Sequence, residues 1–243
     1  MKKTVAIIHY NTPELTEAAI LSLRKHGGGD YQVVVFDNSD RHPWKKRMKG
    51  VRRIDNTKGK YIDFNAELAK FPDKCLEYNR VAKFGSVKHM MSVQKLWELI
   101  PGGFILLESD VLISQPIDFL WDEQYAAAGK VQYFRGRRME ADRLLPMLCY
   151  MNVPLLTANG ARYFDPQRSW GLVPHSRKEY LWYDTGACLL DDIRKTKPAL
   201  ICRCYPNLND CYVHFGNASW RKNDYGEHLK WLQRYSKLWM PDE

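Results

Sequence analysis

Apolar residues in this chain alternate between short unbroken runs and stretches of helical spacing. Residues 4–9 (TVAIIH) form a run too short for a buried helix, which predicts a strand buried on both faces. Asn11-Thr12-Pro13-Glu14 then opens a helix: Asn11 or Thr12 can cap it, Pro13 suits its first turn, and Glu14 complements the dipole. Leu15, Ala18, Ala19, Ser22 and Leu23 supply its inward face, and Gly27-Gly28-Gly29 ends it. Residues 32–36 (QVVVF) repeat the buried-strand pattern, so the start of the chain predicts a parallel pair joined by a right-handed crossover.

Residues 41–84 are polar and basic, with a short strand predicted near 51–54 and a helix near 65–70. A longer helix spans about 87–99, because Val87, Met90, Met91, Val93, Leu96, Trp97 and Ile100 recur at helical spacing before Pro101-Gly102-Gly103. A strand at 104–107 follows, then Glu108-Ser109-Asp110 and an apolar run at 111–113. This order predicts a doubly wound α/β fold. The second half is less regular: strands at 131–134, 199–204 and 211–215, a basic loop at 135–142, a helix at 185–194 and an amphipathic helix at 225–238. No repeat, low-complexity tract or long linker interrupts the chain, so one domain over 1–243 is expected.

Composition narrows the class. With 45% hydrophobic and 27% charged residues in 243, the chain can bury one large core. Six cysteines in a chain of this size need not act as staples, and the apolar run before His9 is too short for a signal segment. A reduced, cytoplasmic protein is expected. The net charge of +9 suits nucleic acid, an anionic membrane face or phosphorylated ligands. No helix-turn-helix, zinc-finger or RNP-type signature accompanies that charge, which argues against nucleic acid.

Chemistry concentrates at predicted strand ends. Glu108 and Asp110, one residue apart after FILL, offer hard oxygen ligands where open α/β sheets bind their ligands. Asp37 closes the second strand in FDNS and can accept hydrogen bonds from a ribose or base. The first strand leads into HYNTPE rather than G-x-G-x-x-G, and the chain has no P-loop signature, which weakens dehydrogenase and P-loop readings.

These segments together resemble a known family. TVAIIHYNTPELTEAAILSL with VVVFDNSD resembles the start of family 2 glycosyltransferases, and SVKHMMSVQKLWELIPGGFILLESDVLI resembles their helix entry and D-x-D strand. YDTGACLL and HFGNASW are similar to later blocks of bacterial members. The resemblance implies a GT-A-like, mostly parallel doubly wound sheet with a smaller acceptor-side subdomain. Residues 1–113 would form the nucleotide-sugar half, 114–220 the acceptor half and 221–243 a terminal helix. It further implies inverting transfer from a nucleotide-diphosphate-sugar donor to a glycan or lipid-linked acceptor, with Mn²⁺ or Mg²⁺.

Carried over by position, the resemblance assigns Tyr10, Asn11 and Asp37 to the nucleoside and Ser86 and His89 to the neighbourhood of the diphosphate. Asp110 is the implied metal ligand, with Glu108 as ribose or metal partner where the family usually has Asp, and His214 as a further ligand. Asp184 is the implied base for the acceptor hydroxyl, its basicity raised by the two large rings of Trp182 and Tyr183; capping of the helix from Thr185 is its alternative use. Cys202, Cys204, Cys211 and His214 form an alternative zinc set. Arg135, Arg137 and Arg138 are candidate diphosphate clamps, and Trp170, Trp182 and Trp220 candidate sugar platforms. On the last helix Tyr225, Leu229, Leu232, Tyr235 and Leu238 form a stripe that packs on the domain or, alternatively, touches a membrane surface. The rival functions are a nucleotidyltransferase and a non-enzymatic basic binding module.

Overall fold

The computed structural model describes residues 2–70, 84–134, 141–168, 183–196, 198, 200–216 and 225–241. Nine strands are described: β1 (Lys3–His9), β2 (Tyr31–Asp37), β3 (Val51–Asp55), β4 (Phe104–Glu108), β5 (Val111–Ile113), β6 (Ala127–Gln132), β7 (Arg143–Met151), β8 (Cys202–Cys204) and β9 (Tyr212–His214). The helices are α1 (Pro13–His26), α2 (Phe64–Ala69), α3 (Phe84–Leu99), α4 (Val153–Ala158), α5 (Ala187–Lys195) and α6 (Tyr225–Arg234). Seven strands form the central sheet in the order β3-β2-β1-β4-β7-β6-β8, and β5 pairs with β9 in a separate two-stranded sheet. The pairs β3-β2, β2-β1, β1-β4 and β6-β8 are parallel, while β7 runs antiparallel to both neighbours.

The expected fold class, a mostly parallel doubly wound α/β sheet, is therefore the one observed. Alternation along the strands sends Val5, Ile7, Val33, Val35, Ile105 and Leu107 to one face, against Ala19, Ile20 and Leu23 of α1. Ala6, Ile8, Val34, Phe36 and Leu106 fill the other face, against Val87, Met90, Val93, Leu96 and Trp97 of α3. Each fully buried aliphatic side chain contributes about 1.5–3 kcal/mol, so these two faces dominate the stability of the domain.

Several local expectations are corrected. Thr12 occupies the N-cap of α1, but its side chain accepts no cap bond and its hydroxyl is buried without a partner. Asn11 does not cap either: its amide oxygen accepts the N–H groups of Arg41 and His42 instead. The strand expected at 131–134 lies earlier, as β6, and β7 was not anticipated at all. Pro146 sits inside β7, a central strand, where its missing N–H would cost a ladder bond. It falls where the register with β6 breaks, between Gly129↔Cys149 and Val131↔Leu144, so the irregular stretch accommodates it.

The α5 helix starts two residues later than expected, with Gly186 rather than Asp184 at its N-cap. The terminal helix packs on the domain through Leu232, which meets Leu15, Ala18 and Leu112, with Trp231, Tyr235, Leu238 and Trp239 alongside. Leu229 faces away at 45% exposure, so the buried face is rotated from the expected stripe. The side chain of Tyr225 lies outside the described residues. Cys202 and Cys204 sit on edge strand β8 and Cys211 in the turn before β9. Among the described residues the one group of three possible ligands does not include them, so the zinc set is not assembled. No helix among the described residues is long and apolar enough to cross a membrane.

Candidate functional site

Parallel pairing puts the carboxyl ends of β1, β2 and β4 on one sheet edge, with His9 level with Asp37 and Ile8 level with Glu108. Such an edge, flanked by helices on opposite faces, is where open α/β sheets form their crevices. Glu108 ends β4 and a two-residue turn carries Asp110 to the start of β5. There Val111 pairs with His214 of β9, and the Phe215 N–H donates to the Asp110 carbonyl at 3.0 Å. The small sheet therefore delivers a histidine from the far end of the chain to the acidic turn.

The resulting cluster is tight. His214 Nε2 lies 3.3 Å from Asp110 Oδ1 and 3.5 Å from Glu108 Oε2. One ligand atom from each of the three residues falls within 4.8 Å of the other two. His89 Nε2, on α3, approaches Glu108 Oε1 to 3.9 Å. Burial, then the charge of Asp110, pushes the Glu108 carboxyl well above the usual range, against the opposing pull of His214 and Arg143. Burial draws His214 down, but its hydrogen bond and charge contact with Asp110, together with Glu108, outweigh it and leave the imidazole raised. His89 is driven down to about 4 by burial, against the pull of Asp184 and Asp110, and is therefore neutral near pH 7. Both its ring nitrogens are buried without a hydrogen-bond partner.

This donor set fits a divalent cation. Two crowded carboxylates and an imidazole converge on one point, and a bound cation would relieve the repulsion between the acids. Carboxylates suit Mg²⁺ or Mn²⁺, and the imidazole shifts the preference toward Mn²⁺.

Asp184, in the turn before α5, is held through both carboxylate oxygens. Its Oδ2 accepts from Arg143 Nη1 at 2.7 Å and its Oδ1 from the Thr185 N–H at 2.8 Å. Arg143 is itself held by Gln132 Oε1, at 2.8 Å, and lies over the Phe134 ring. Of the two rings expected to flank Asp184, that of Tyr183 is engaged elsewhere: its hydroxyl donates to Asp191 and Arg168 covers its ring. Trp182 lies outside the described residues.

Gly186 explains how Asp184 reaches this place. Its φ is +79°, and a Cβ there would stand 2.0 Å from the Leu144 carbonyl oxygen. Leu144 N–H donates to the Gly186 carbonyl at 3.3 Å. Only glycine allows this close approach to β7, which sets Asp184 beside Arg143 one residue away.

The proposed nucleoside residues divide. Tyr10 donates to Asp40 Oδ2 at 2.9 Å, and the Asn11 side chain donates to Asp40 Oδ1 at 2.5 Å. Asn11 holds φ +58°, the one positive value outside glycine among the described residues. Such strained backbone persists where its surroundings over-determine it. Asp37 is different. It is fully buried; Oδ1 accepts the Ser39 N–H, while Oδ2 accepts the Trp44 N–H and Arg53 Nε and Nη2. Its acceptor capacity is spent on folding residues 38–44 over the strand end, so it organises this edge rather than offering itself to a ligand. Ser86 lies half-buried near the start of α3, three residues before His89.

Two residues escaped sequence reasoning: Arg143, which pairs with Asp184, and Asp40, which holds Tyr10 and Asn11. Asp40 was legible as the second acid of FDNSD, and Arg143 as the polar start of the run RLLPMLCYM. Arg135, Arg137, Arg138, Trp170 and Trp220 lie outside the described residues.

No family model matches this chain, and no curated protein does. Among solved structures it is similar to the bifunctional glycosyltransferase WbbM in its apo form, with 11% identity, a TM-score of 0.45 and 97% of this chain covered. It is also similar to two structures of the glycosyltransferase GlyE of Streptococcus pneumoniae TIGR4. The apo form gives 13% identity, a TM-score of 0.35 and 66% coverage; the other gives 12%, 0.41 and 100%. The chain spans 44% of the WbbM chain and 36% and 66% of the two GlyE chains.

Proposed function

We propose that this chain is a metal-dependent glycosyltransferase, moving a sugar from a nucleoside-diphosphate donor to a hydroxyl of a glycan or lipid-linked acceptor. The observation that carries the reading is the convergence of Glu108, Asp110 and His214 at the carboxyl end of β4. Glu108, Asp110 and His214 would hold Mn²⁺ or Mg²⁺, which when bound would neutralise the diphosphate and stabilise it as a leaving group.

In this reading Tyr10, Asn11 and Asp40 form the nucleoside shelf, and Asp37 supports it from beneath. Neutral His89 and Ser86 on α3 stand toward the diphosphate, with the unpartnered nitrogens of His89 available as donor or acceptor. Asp184 takes the proton of the acceptor hydroxyl as that oxygen attacks the anomeric carbon, and Arg143 keeps the carboxylate in position. A single displacement of this kind inverts the anomeric centre.

The test is to incubate the protein with Mn²⁺, a panel of nucleotide sugars and acceptor glycans, and to identify the nucleotide released. Release of nucleoside diphosphate that stops in EDTA and in Asp110→Ala is the expected result. In a parallel arm supplied with nucleoside triphosphates and sugar 1-phosphates, formation of a nucleotide sugar with release of pyrophosphate would instead identify a nucleotidyltransferase. No metal-dependent turnover of any donor would leave only a binding module.

A further inference from the structure

A cationic cleft lies at the opposite end of the sheet. The starts of β2 and β3, together with the last turn of α1, enclose a cleft of about 710 Å³. Its rim carries Lys2, Arg24, Lys49 and Arg52, all exposed, and its floor is the buried Leu23 and Val33. Asp30 also lines the cleft, but its carboxylate is taken by Lys2 at 2.8 Å. Arg24, Lys49 and Arg52 have no ion pair among the described residues, which leaves three uncompensated cations around one concavity.

The Arg24 side chain and the backbone that carries Lys49 and Arg52 are held in place. The Arg24 guanidinium donates to the Lys49 carbonyl, which ties the end of α1 to the turn before β3. That turn is closed by the Val51 N–H donating to the Met48 carbonyl at 3.2 Å, with Gly50 at φ +72°. The Val33 N–H donates to the Gly50 carbonyl at 3.2 Å, so the turn is fastened to β2 as well. A floor of buried aliphatic side chains keeps water from one side, which strengthens charge interactions at the rim. The cleft volume falls within the range of roughly 300–1,000 Å³ that suits small ligands, and guanidinium groups match phosphate oxygens two at a time. The seven residues of β2 separate this end from the metal-ligand edge by about 20 Å, at roughly 3.3 Å per residue.

We propose that this cleft is a binding site for a phosphate-bearing ligand with at least two negative charges, separate from the metal site. Arg24, Lys49 and Arg52 grip the phosphate oxygens, while Lys2 and Asp30 close one side.

The test uses inorganic pyrophosphate as probe, in EDTA and at constant ionic strength, with affinity read by calorimetry. Wild type and Asp110→Ala should bind equally. The double variant Arg24→Ala/Arg52→Ala should bind on the order of ten- to a hundredfold more weakly, and Lys49→Gln should fall between. All three changed residues are exposed, and circular dichroism is the check that each variant is folded. A parallel arm measures co-sedimentation with vesicles containing phosphatidic acid, whose phosphomonoester can carry two charges. Retention that is lost in the double variant, with no pyrophosphate binding, would identify the phosphate as that of a lipid headgroup. Undiminished affinity in the double variant, or binding to neither probe, would overturn the site. Loss of pyrophosphate binding in Asp110→Ala would do so too, by placing the anion at the other end of the sheet.

Discussion

Gly186→Ala separates two costs that a glycine can hide. At this position φ is +79° and the added methyl would meet the Leu144 carbonyl oxygen at 2.0 Å. A left-handed conformation costs a residue with a Cβ about 1–2 kcal/mol. Relieving the clash requires α5 to move off β7 by more than an ångström. That movement would break the Leu144 N–H bond to the Gly186 carbonyl, at about 0.5–1.5 kcal/mol. It would also loosen the packing of buried Leu189, Leu190 and Ile193. The sum is about 3–5 kcal/mol, at the severe end for a single substitution. Gly160→Ala is the matched control, because Gly160 has φ +70° with nothing within 4 Å. It should cost only the backbone part, about 1–2 kcal/mol. Urea unfolding of both variants, with unchanged denaturant slopes, measures the difference. A Gly186→Ala variant within about 0.5 kcal/mol of Gly160→Ala would refute the close approach as the reason for glycine here.

Asp110→Ala should abolish the thermal stabilisation by Mn²⁺, which in the wild type amounts to about 2.7 kcal/mol at a hundred times the dissociation constant; an equal shift in both proteins would put the ion elsewhere. Because the folded structure raises both Glu108 and His214, each tends to hold its proton at higher pH and must lose it to ligate a cation. Mn²⁺ uptake should therefore release protons and tighten as pH rises, and calorimetric heats that ignore buffer ionisation enthalpy would contradict this. Asp184→Asn keeps an oxygen for the Thr185 N–H but cannot take a proton, so kcat should fall roughly 10²–10⁴-fold with donor affinity retained; normal turnover would move the base to another residue. Asp37→Ala removes the acceptor for Arg53, Trp44 and Ser39 and should cost about 2–4 kcal/mol, discounted because Arg53 is partly exposed. Unchanged stability with weaker donor binding would restore Asp37 as a ligand contact.

What the sequence determined alone was local. Unbroken apolar runs identified β1, β2 and β4 as buried parallel strands, and 3.6-residue spacing identified the helices between them. Because parallel strands joined by helices end on one edge, the acids after β4 were legible as a site before any contact was known. Periodicity carries no information about partners distant in the chain. Nothing local says that β5 pairs with β9, yet that pairing alone brings His214 to Asp110. Pro146 disguised β7, since a proline in a central strand is tolerated only where the neighbouring ladder breaks, a property of β6 as much as of β7. With β7 went Arg143, the partner of Asp184. Asp37 shows the opposite case, a strand-end acid that reads as a ligand contact until the fold buries it. Its burial follows from residues 38–44 closing over the strand end and from Arg53 on the neighbouring strand, both set by chain closure rather than by residue type.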